Sequence, residues 1–159
     1  MKRLPYLAAI LLLGGCAQGT VPQKAVSEAP TTPPAGMFKL LADAKLATYF
    51  DAHSVALYQG NPHLRQFYLI NNYLGLAASS DNLLNIRSSR AIQVTNCERD
   101  ETAQFGRVYF SQPFALGHEV ARESDIPQWA PLERQSLIGM LRDSVCKINA
   151  AHLRAGNPG

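Results

Sequence analysis

The sequence predicts an α+β domain in which an antiparallel sheet of about five or six strands packs with a C-terminal helix and carries one disulfide. Three observations support this fold class. Short apolar and aromatic runs, separated by turn-forming residues, recur between residues 37 and 123. An apolar stripe at helical spacing follows at residues 137–148. Two cysteines, Cys97 and Cys146, remain for the domain once a third near the N-terminus is set aside.

The N-terminus has the pattern of a lipoprotein signal peptide over residues 1–15. A positive start (MKR) precedes the apolar run YLAAILLL at residues 6–13, which is far shorter than the roughly 20 residues that span a bilayer. The run ends in LGGC at residues 13–16, which matches a lipobox and predicts that Cys16 is lipidated and becomes the first mature residue. The alternatives are a conventional cleavage site before Cys16 and an uncleaved anchor.

The second residue of the mature chain indicates which of the two bacterial membranes holds the lipoprotein. It is Ala17 rather than the Asp that favours inner-membrane retention in enterobacterial-type lipoproteins, so we expect an outer-membrane lipoprotein. Lipid attached through several acyl chains anchors a protein stably, whereas one chain does so marginally. The residues leave open whether the domain faces the periplasm or the outside.

A lipid-anchored tether is predicted over residues 16–36. The segment from residue 17 onwards, AQGTVPQKAVSEAPTTPPAG, is rich in proline and poor in large apolar residues, so it cannot bury enough surface to offset the entropy of ordering. An adhesive low-complexity segment is the alternative. The domain then spans residues 37–150, and residues 151–159 are predicted to form a flexible tail.

Composition limits the partners. Removing the signal discards Lys2 and Arg3 and no acid, so the net charge falls from +3 to +1. A near-neutral domain offers little electrostatic reason to bind nucleic acid, and we predict none. The roughly 120 residues after the tether suffice for one modest core.

The first half of the domain is predicted as strands. Residues 37–41 and 46–50 are short apolar runs, and DAHS at residues 51–54 is typical of a turn before a further strand at residues 55–58. Residues 63–73 alternate imperfectly, as expected of a central strand that is partly buried on both faces.

The second half continues the antiparallel pattern. Residues 91–97, 106–111 and 118–123 have the length of meander strands, whereas residues 74–85 give no firm prediction beyond a loop or a strand end.

A helix follows, opened by Pro131 or Ser136, because proline suits the first helical position and serine caps helices. Its apolar stripe falls within about one 80° sector at 100° per residue. The stripe consists of Leu137, Leu141, Val145 and Ile148.

The cysteine pair of the domain predicts a disulfide. In an exported chain an even pair is typically oxidised, and no CxxC or histidine-rich spacing indicates a metal or redox site. Cys97 would leave the polar face of its strand and Cys146 lies off the apolar sector of the helix. The bond therefore has to approach from the helix flank.

Catalytic patterns are missing, so we predict no catalytic residue, no metal site and no cofactor. The sequence has no GxSxG, P-loop or HExxH, and its four histidines show no ligand spacing. The cluster Asp51, His53 and Ser54 resembles hydrolase chemistry, but triad members normally come from separate elements. Backbone hydrogen bonds within a turn are the better interpretation.

Two features suggest a binding surface. Arg87 and Arg90 flank two serines and, with Arg99 and Arg107, would form a basic patch for acidic glycans or sulfated partners; a solvated loop and sheet edge is the alternative. Trp129, the only tryptophan, is either an interface anchor or a residue that seals one edge of the core.

Between about Phe38 and Lys147 the spacing resembles the surface-adhesin protein E family of proteobacterial lipoproteins. The elements that carry the resemblance are Tyr49-Phe50-Asp51, Ser54-Val55, Asn71-Asn72-Tyr73, Ser88 or Ser89, Val94-Thr95-Asn96-Cys97, Trp129, Ser136 and Cys146. The resemblance implies the same sheet, helix and Cys97–Cys146 bond, a homodimer, and binding to host matrix and plasma proteins, with haem binding also described. The adhesin's lysine- and tyrosine-rich binding segments have no match here.

We therefore expect a non-enzymatic, membrane-anchored binding module, an adhesin-like protein for host extracellular-matrix proteins. The first alternative is a periplasm-facing structural lipoprotein that serves an envelope complex. The second is a haem-binding lipoprotein or an enzyme that uses His53 or His118.

Overall fold

The structure is a computed structural model, and it describes residues 29–74, 85–124 and 126–156. Within these residues one antiparallel sheet runs in the order β1-β2-β3-β4-β5-β6, with two short additional strands and one α-helix. The predicted fold class is confirmed. Cys16, the signal peptide and most of the tether lie outside the described residues, as do residues 75–84, for which the sequence gives no firm prediction, and the last three residues.

The elements have the following bounds. The strands are β1 (Met37–Ala42), β2 (Leu46–Tyr58), β3 (Leu64–Tyr73), β4 (Ser88–Asn96), β5 (Glu101–Phe110), β6 (Glu119–Glu123), β7 (Ala130–Pro131) and β8 (Ala155–Gly156), and the helix is α1 (Leu137–Val145). No helix of the described residues is long and apolar enough to cross a membrane.

The turn predicted at residues 51–54 is wrong, because these residues lie inside β2. The pairing of β2 with β3 shifts register between Asp51 and Ala56, which absorbs the turn-forming residues as an irregularity of the strand. The Ser54 hydroxyl accepts a hydrogen bond from the Tyr68 backbone N–H at 2.7 Å and donates to the Asp51 carbonyl. The Ser54 side chain thus takes part in the hydrogen bonding between β2 and β3 where their backbone pairing is interrupted.

Two strands of the sheet, β4 and β5, are longer than predicted. β3 lies inside the sheet, as expected, but β4 begins three residues early, at Ser88, and β5 begins at Glu101 rather than at residue 106. Ser88 and Ser89 are fully buried, and their hydroxyls are hydrogen-bonded. These polar residues can therefore lie inside the sheet. Pairing with β4 draws the polar start of β5 into a strand.

One face of the sheet, the helix face, packs against α1. Ser136 caps the helix by accepting from the Gly139 N–H at 3.1 Å, as the sequence predicts. Val145 joins Val55 and Phe67 in a buried cluster that Leu141 borders. The predicted stripe is wrong at Ile148, which is 37% exposed because the helix ends at Val145.

The Cys97–Cys146 disulfide links the end of β4 to the end of α1, with the two Cα atoms 5.6 Å apart. The nearly buried Arg142 strengthens the same junction, because its guanidinium donates to the carbonyls of Asn96 at 3.3 Å and Cys97 at 2.8 Å. Cys146 is the C-cap residue of α1 and packs against the cluster of Val55, Phe67 and Val145.

The opposite face, which we call the concave face, carries Tyr68 and Arg90 and has its own cluster at one end. There Ala47, Tyr49 and Ile70 pack with Phe114 from the turn between β5 and β6. The rings of Tyr58 and Phe105 lie 5.0 Å apart although β3 and β4 separate their strands. This contact shows that the sheet curls over that face.

The tail predicted to fray is partly ordered. Ala155 and Gly156 pair in parallel with Leu57 and Tyr58, and the Leu57 N–H donates to the Arg154 carbonyl at 2.9 Å. The tail therefore adds a short strand at the part of β2 that β1 does not reach.

Candidate binding face

An arginine held between two aromatic rings lies at the middle of the concave face. Arg90 on β4 pairs with Ile70 on β3 and Val108 on β5, which places Tyr68 and Phe110 at diagonal positions on either side of it. Its guanidinium carbon lies 4.6 Å from the centroid of the Tyr68 ring and 5.4 Å from that of Phe110. Both distances are those of cation–π contacts. We call these three residues the Arg90 stack.

The charges around the stack leave Arg90 without an acidic partner among the described residues. Its neighbour Arg122 is neutralised by Glu119, whose two carboxylate oxygens accept from Nε at 3.0 Å and Nη2 at 2.9 Å. The hydrogen bond from Arg122 is the main reason that the pKa of Glu119 lies below its ordinary value, and the charge of Arg90 contributes less.

Two clefts meet at the stack. The first, of about 160 Å³, has an apolar floor formed by Ile92, Phe105 and Val108 and a rim that includes Arg90 and Arg122. The second, of about 270 Å³, extends toward the start of the domain. Its lining includes Met37, Asp51, His53, Ile70, Phe114 and Leu116. Tyr68 and Arg90 line both clefts, so the stack stands where they join.

The tail borders a third cleft of about 250 Å³ beyond Tyr68. Gly156 lies so close to the Gln66 side chain that a Cβ there would come within 2.2 Å of it. Only glycine fits this approach without movement. Ala155 and Gly156 are therefore part of the wall of the concave face.

Trp129 lies apart from the stack. It precedes β7, whose Ala130 pairs with Thr102 on β5, whereas Arg90 pairs with Val108 on the same strand. Six residues of strand separate these positions by about 20 Å. Trp129 is 43% exposed and belongs to neither buried cluster of the described residues.

Arg87 lies near one end of the concave face. Its N–H donates to the Phe110 carbonyl, its carbonyl accepts from the Tyr73 N–H, and the residue lines a separate cleft with Tyr49 and Phe114. Arg87 thus lines a different cleft from the two that Arg90 lines, although the residues are close in sequence.

The predicted basic patch is divided between surfaces. Arg107 donates to Ser89 on the helix face at 3.0 Å, and Arg99 lies in the turn before β5, 3.8 Å from Glu101. Alternation along the strands therefore directs the Arg107 side chain away from that of Arg90, although both residues line the first cleft.

The acid, serine and histidines considered for catalysis make hydrogen bonds to backbone groups or pair with side chains at the surface. The Asp51 carboxylate accepts from the His53 N–H at 3.0 Å, and Ser54 is bonded within the sheet. His63 pairs with Glu98 at 2.9 Å, and His118 contacts the Ser111 hydroxyl at 3.0 Å. The part of the chain that the structure describes brings no three His, Cys, Asp or Glu side chains together as metal ligands.

Sequence reasoning finds Arg90 but misses Tyr68 and Phe110. Period-two alternation assigns each residue to one face of its own strand. Which residues become neighbours depends on the register between strands, and a single sequence does not reveal that register. If the register were known, the signal would be an aromatic residue on each strand beside Arg90, on the same face of the sheet as Arg90.

Comparison with known proteins gives a family and a fold. Residues 37–147 match the profile of the family described as surface-adhesin protein E. Protein E of Haemophilus influenzae matches with a TM-score of 0.60 at 17% identity, covering 79% of this chain and 94% of that one. Protein E from non-typeable Haemophilus influenzae gives 0.59 at 15% identity, covering 80% and 86%. At these identities the structural likeness shows a common fold.

Proposed function

The chain belongs to the surface-adhesin protein E family, and we propose that it is a lipid-anchored outer-membrane protein that binds host extracellular-matrix proteins through its concave face. The family is one of adhesins and not of enzymes. The proposal adds the anchor, the class of partner and the surface that binds.

The Arg90 stack is the observation that carries the proposal. Its arginine is half-buried and oriented by two rings, and it stands between two clefts that neither α1 nor a loop of the described residues fills. Arginine and tyrosine are enriched among the residues that dominate protein interfaces, especially where they are fixed before binding.

The anchor follows from the N-terminal sequence. Lipidation of Cys16 would hold the chain at the membrane, and the tether would carry the domain away from it. Pro34 and Ala35 line the second cleft, so the end of the tether lies against the domain. Residues 17–33 would then span about 50 Å as an extended proline-rich chain.

Protease accessibility on intact cells tests which way the domain faces. We expect externally added protease to remove the domain from whole cells that produce the native chain. The Cys16→Ser chain should instead be released from the membrane fraction. Complete protection until the outer membrane is broken would contradict host adhesion and favour the envelope-complex alternative.

Binding to immobilised extracellular-matrix proteins tests the partner and the surface. The Cys16→Ser chain should bind saturably, and Arg90→Ala should weaken that binding about thirtyfold or more, which is the loss of about 2 kcal/mol that defines an interface hot spot. Arg99→Ala is the matched control, because Arg99 is an exposed arginine in the turn before β5. Equal binding by both variants would exclude the concave face.

A further inference from the structure

We propose that the Arg90 stack binds a carboxylate of a protein partner, presented by an acidic side chain on an extended peptide that lies across the concave face. This inference rests on the proposed function, since it names the chemistry that the binding face recognises.

The orientation of Arg90 is the first argument. Tyr68 and Phe110 contact the guanidinium from two neighbouring strands, so the flat group is held over the sheet. A guanidinium fixed in this way offers paired N–H donors that match the two oxygens of a carboxylate. Little side-chain entropy then remains to be lost on binding.

The balance of charge is the second argument. Arg122 is already bonded to both oxygens of Glu119, and the Glu123 carboxylate accepts from the Tyr109 hydroxyl at 2.8 Å. Arg107 also lines the first cleft, but its guanidinium is hydrogen-bonded on the helix face. Arg90 is therefore the arginine that faces this cleft from the concave side without pairing with a carboxylate of the described residues.

The shape of the surface favours an extended chain over a compact molecule. The two clefts lie on either side of Tyr68 and Arg90, so a ligand that fills both must pass over the stack. The floor of the first cleft is apolar, which suits an apolar side chain near the acid. Asp51 and His53 line the second cleft, so the ligand should carry neutral or basic groups at that end.

Titration with a matched pair of blocked peptides tests this proposal in the full chain carrying Cys16→Ser. The probes are acetyl-Ser-Val-Glu-Val-Ser-amide and its Gln analogue, followed by NMR signals of the Arg90 Nε–H and the Tyr68 amide. We expect saturable shifts with the Glu peptide and about tenfold weaker binding of the Gln peptide, because a charge-assisted pair becomes a neutral contact.

Two variants assign the effect to Arg90. Arg90→Lys keeps the charge but loses the planar fork, so the Glu peptide should bind about tenfold more weakly. Arg99→Lys makes the same change in the turn before β5 and should leave the affinity unchanged. The peptide pair tests the native stack without any substitution, so the result does not depend on whether a variant folds.

Several outcomes would overturn the proposal. They are equal affinity for the two peptides, equal losses in the two variants, and absence of a saturable shift up to about 10 mM peptide. Shifts of the same signals that depend on protein concentration alone would assign the face to a second copy of the chain. Matrix binding that survives Arg90→Lys in the absence of peptide binding would refute the carboxylate site and leave the adhesin proposal intact.

Discussion

Removal of the Cys97–Cys146 bond should weaken the domain strongly while leaving its fold in place. The bond closes a loop of 49 residues in sequence separation that contains β5, β6, β7 and α1. Replacement of both cysteines by alanine avoids a free thiol, and the Cys16→Ser background removes the third cysteine. The folded chain keeps other links at this junction, namely Arg142 on the Cys97 carbonyl and Val145 in the core.

The magnitude follows from the loop length. The chain-entropy model gives about 4 kcal/mol for a loop of this size, acting mainly on the unfolded chain. Domains of this kind are stable by only about 5–15 kcal/mol, so the loss would be a large share of the total. For a urea dependence of about 1–2 kcal/mol per molar, the midpoint should fall by roughly 2–4 M.

Urea unfolding followed by circular dichroism measures this loss. Reduction should lower the midpoint of the parent chain by the same amount and leave the double-alanine variant unchanged, which is the control. A double variant that unfolds within about 1 kcal/mol of the parent would refute the reasoning, because the loop would then be closed equally well without the bond.

Three further predictions concern the core and two titrating groups. Phe67→Ala should cost about 3–5 kcal/mol in urea unfolding, because Phe67 is 0% exposed between the sheet and α1; a loss below about 1 kcal/mol would contradict that packing. The hydrogen bond from Arg134 holds the pKa of Asp100 below its ordinary value. The pair therefore stabilises the fold at pH values above the pKa of an unfolded Asp, and this stabilisation is lost as pH falls through the folded pKa. Arg134→Gln should raise the Asp100 pKa in a carboxyl NMR titration, and an unchanged pKa would contradict the contact. Burial, and then the hydrogen bond to Glu123, raises the pKa of Tyr109 to about 12. Glu123→Gln should lower the Tyr109 pKa in a tyrosinate absorbance titration but leave it above 10, since burial remains. An unchanged pKa would exclude the Tyr109–Glu123 hydrogen bond.

The fold was predictable where residue chemistry acts locally. Ser136 caps α1, the apolar run of β3 lies inside the sheet, and the paired cysteines join. The errors at residues 51–54 and at the start of β5 share one cause. In both places the local sequence, which is largely polar, does not by itself indicate a strand, and pairing with a neighbouring strand decides the structure.

The binding face was harder to predict because it depends on two nonlocal features. One is register, which brings Tyr68 and Phe110 to Arg90 from different strands. The other is the turn between β5 and β6, where Phe114 has a φ of 61° and still buries its ring edge-on to Tyr49 at 5.2 Å. The Phe114 N–H donates to the Asn72 side chain at 2.7 Å, which helps to hold that backbone.

The same turn helps to explain why the described residues leave the middle of the concave face uncovered. Phe114 covers only the end near Tyr49 and Ile70, the tail borders the opposite side at Gly156, and α1 packs on the other face of the sheet. Arg90 lies between these covers, where two rings hold it and no acid of the described residues neutralises it. A buried core position would favour an apolar residue there, because an unpaired charge is costly to bury. The stack is therefore better suited to meeting a partner's charge than to stabilising the sheet.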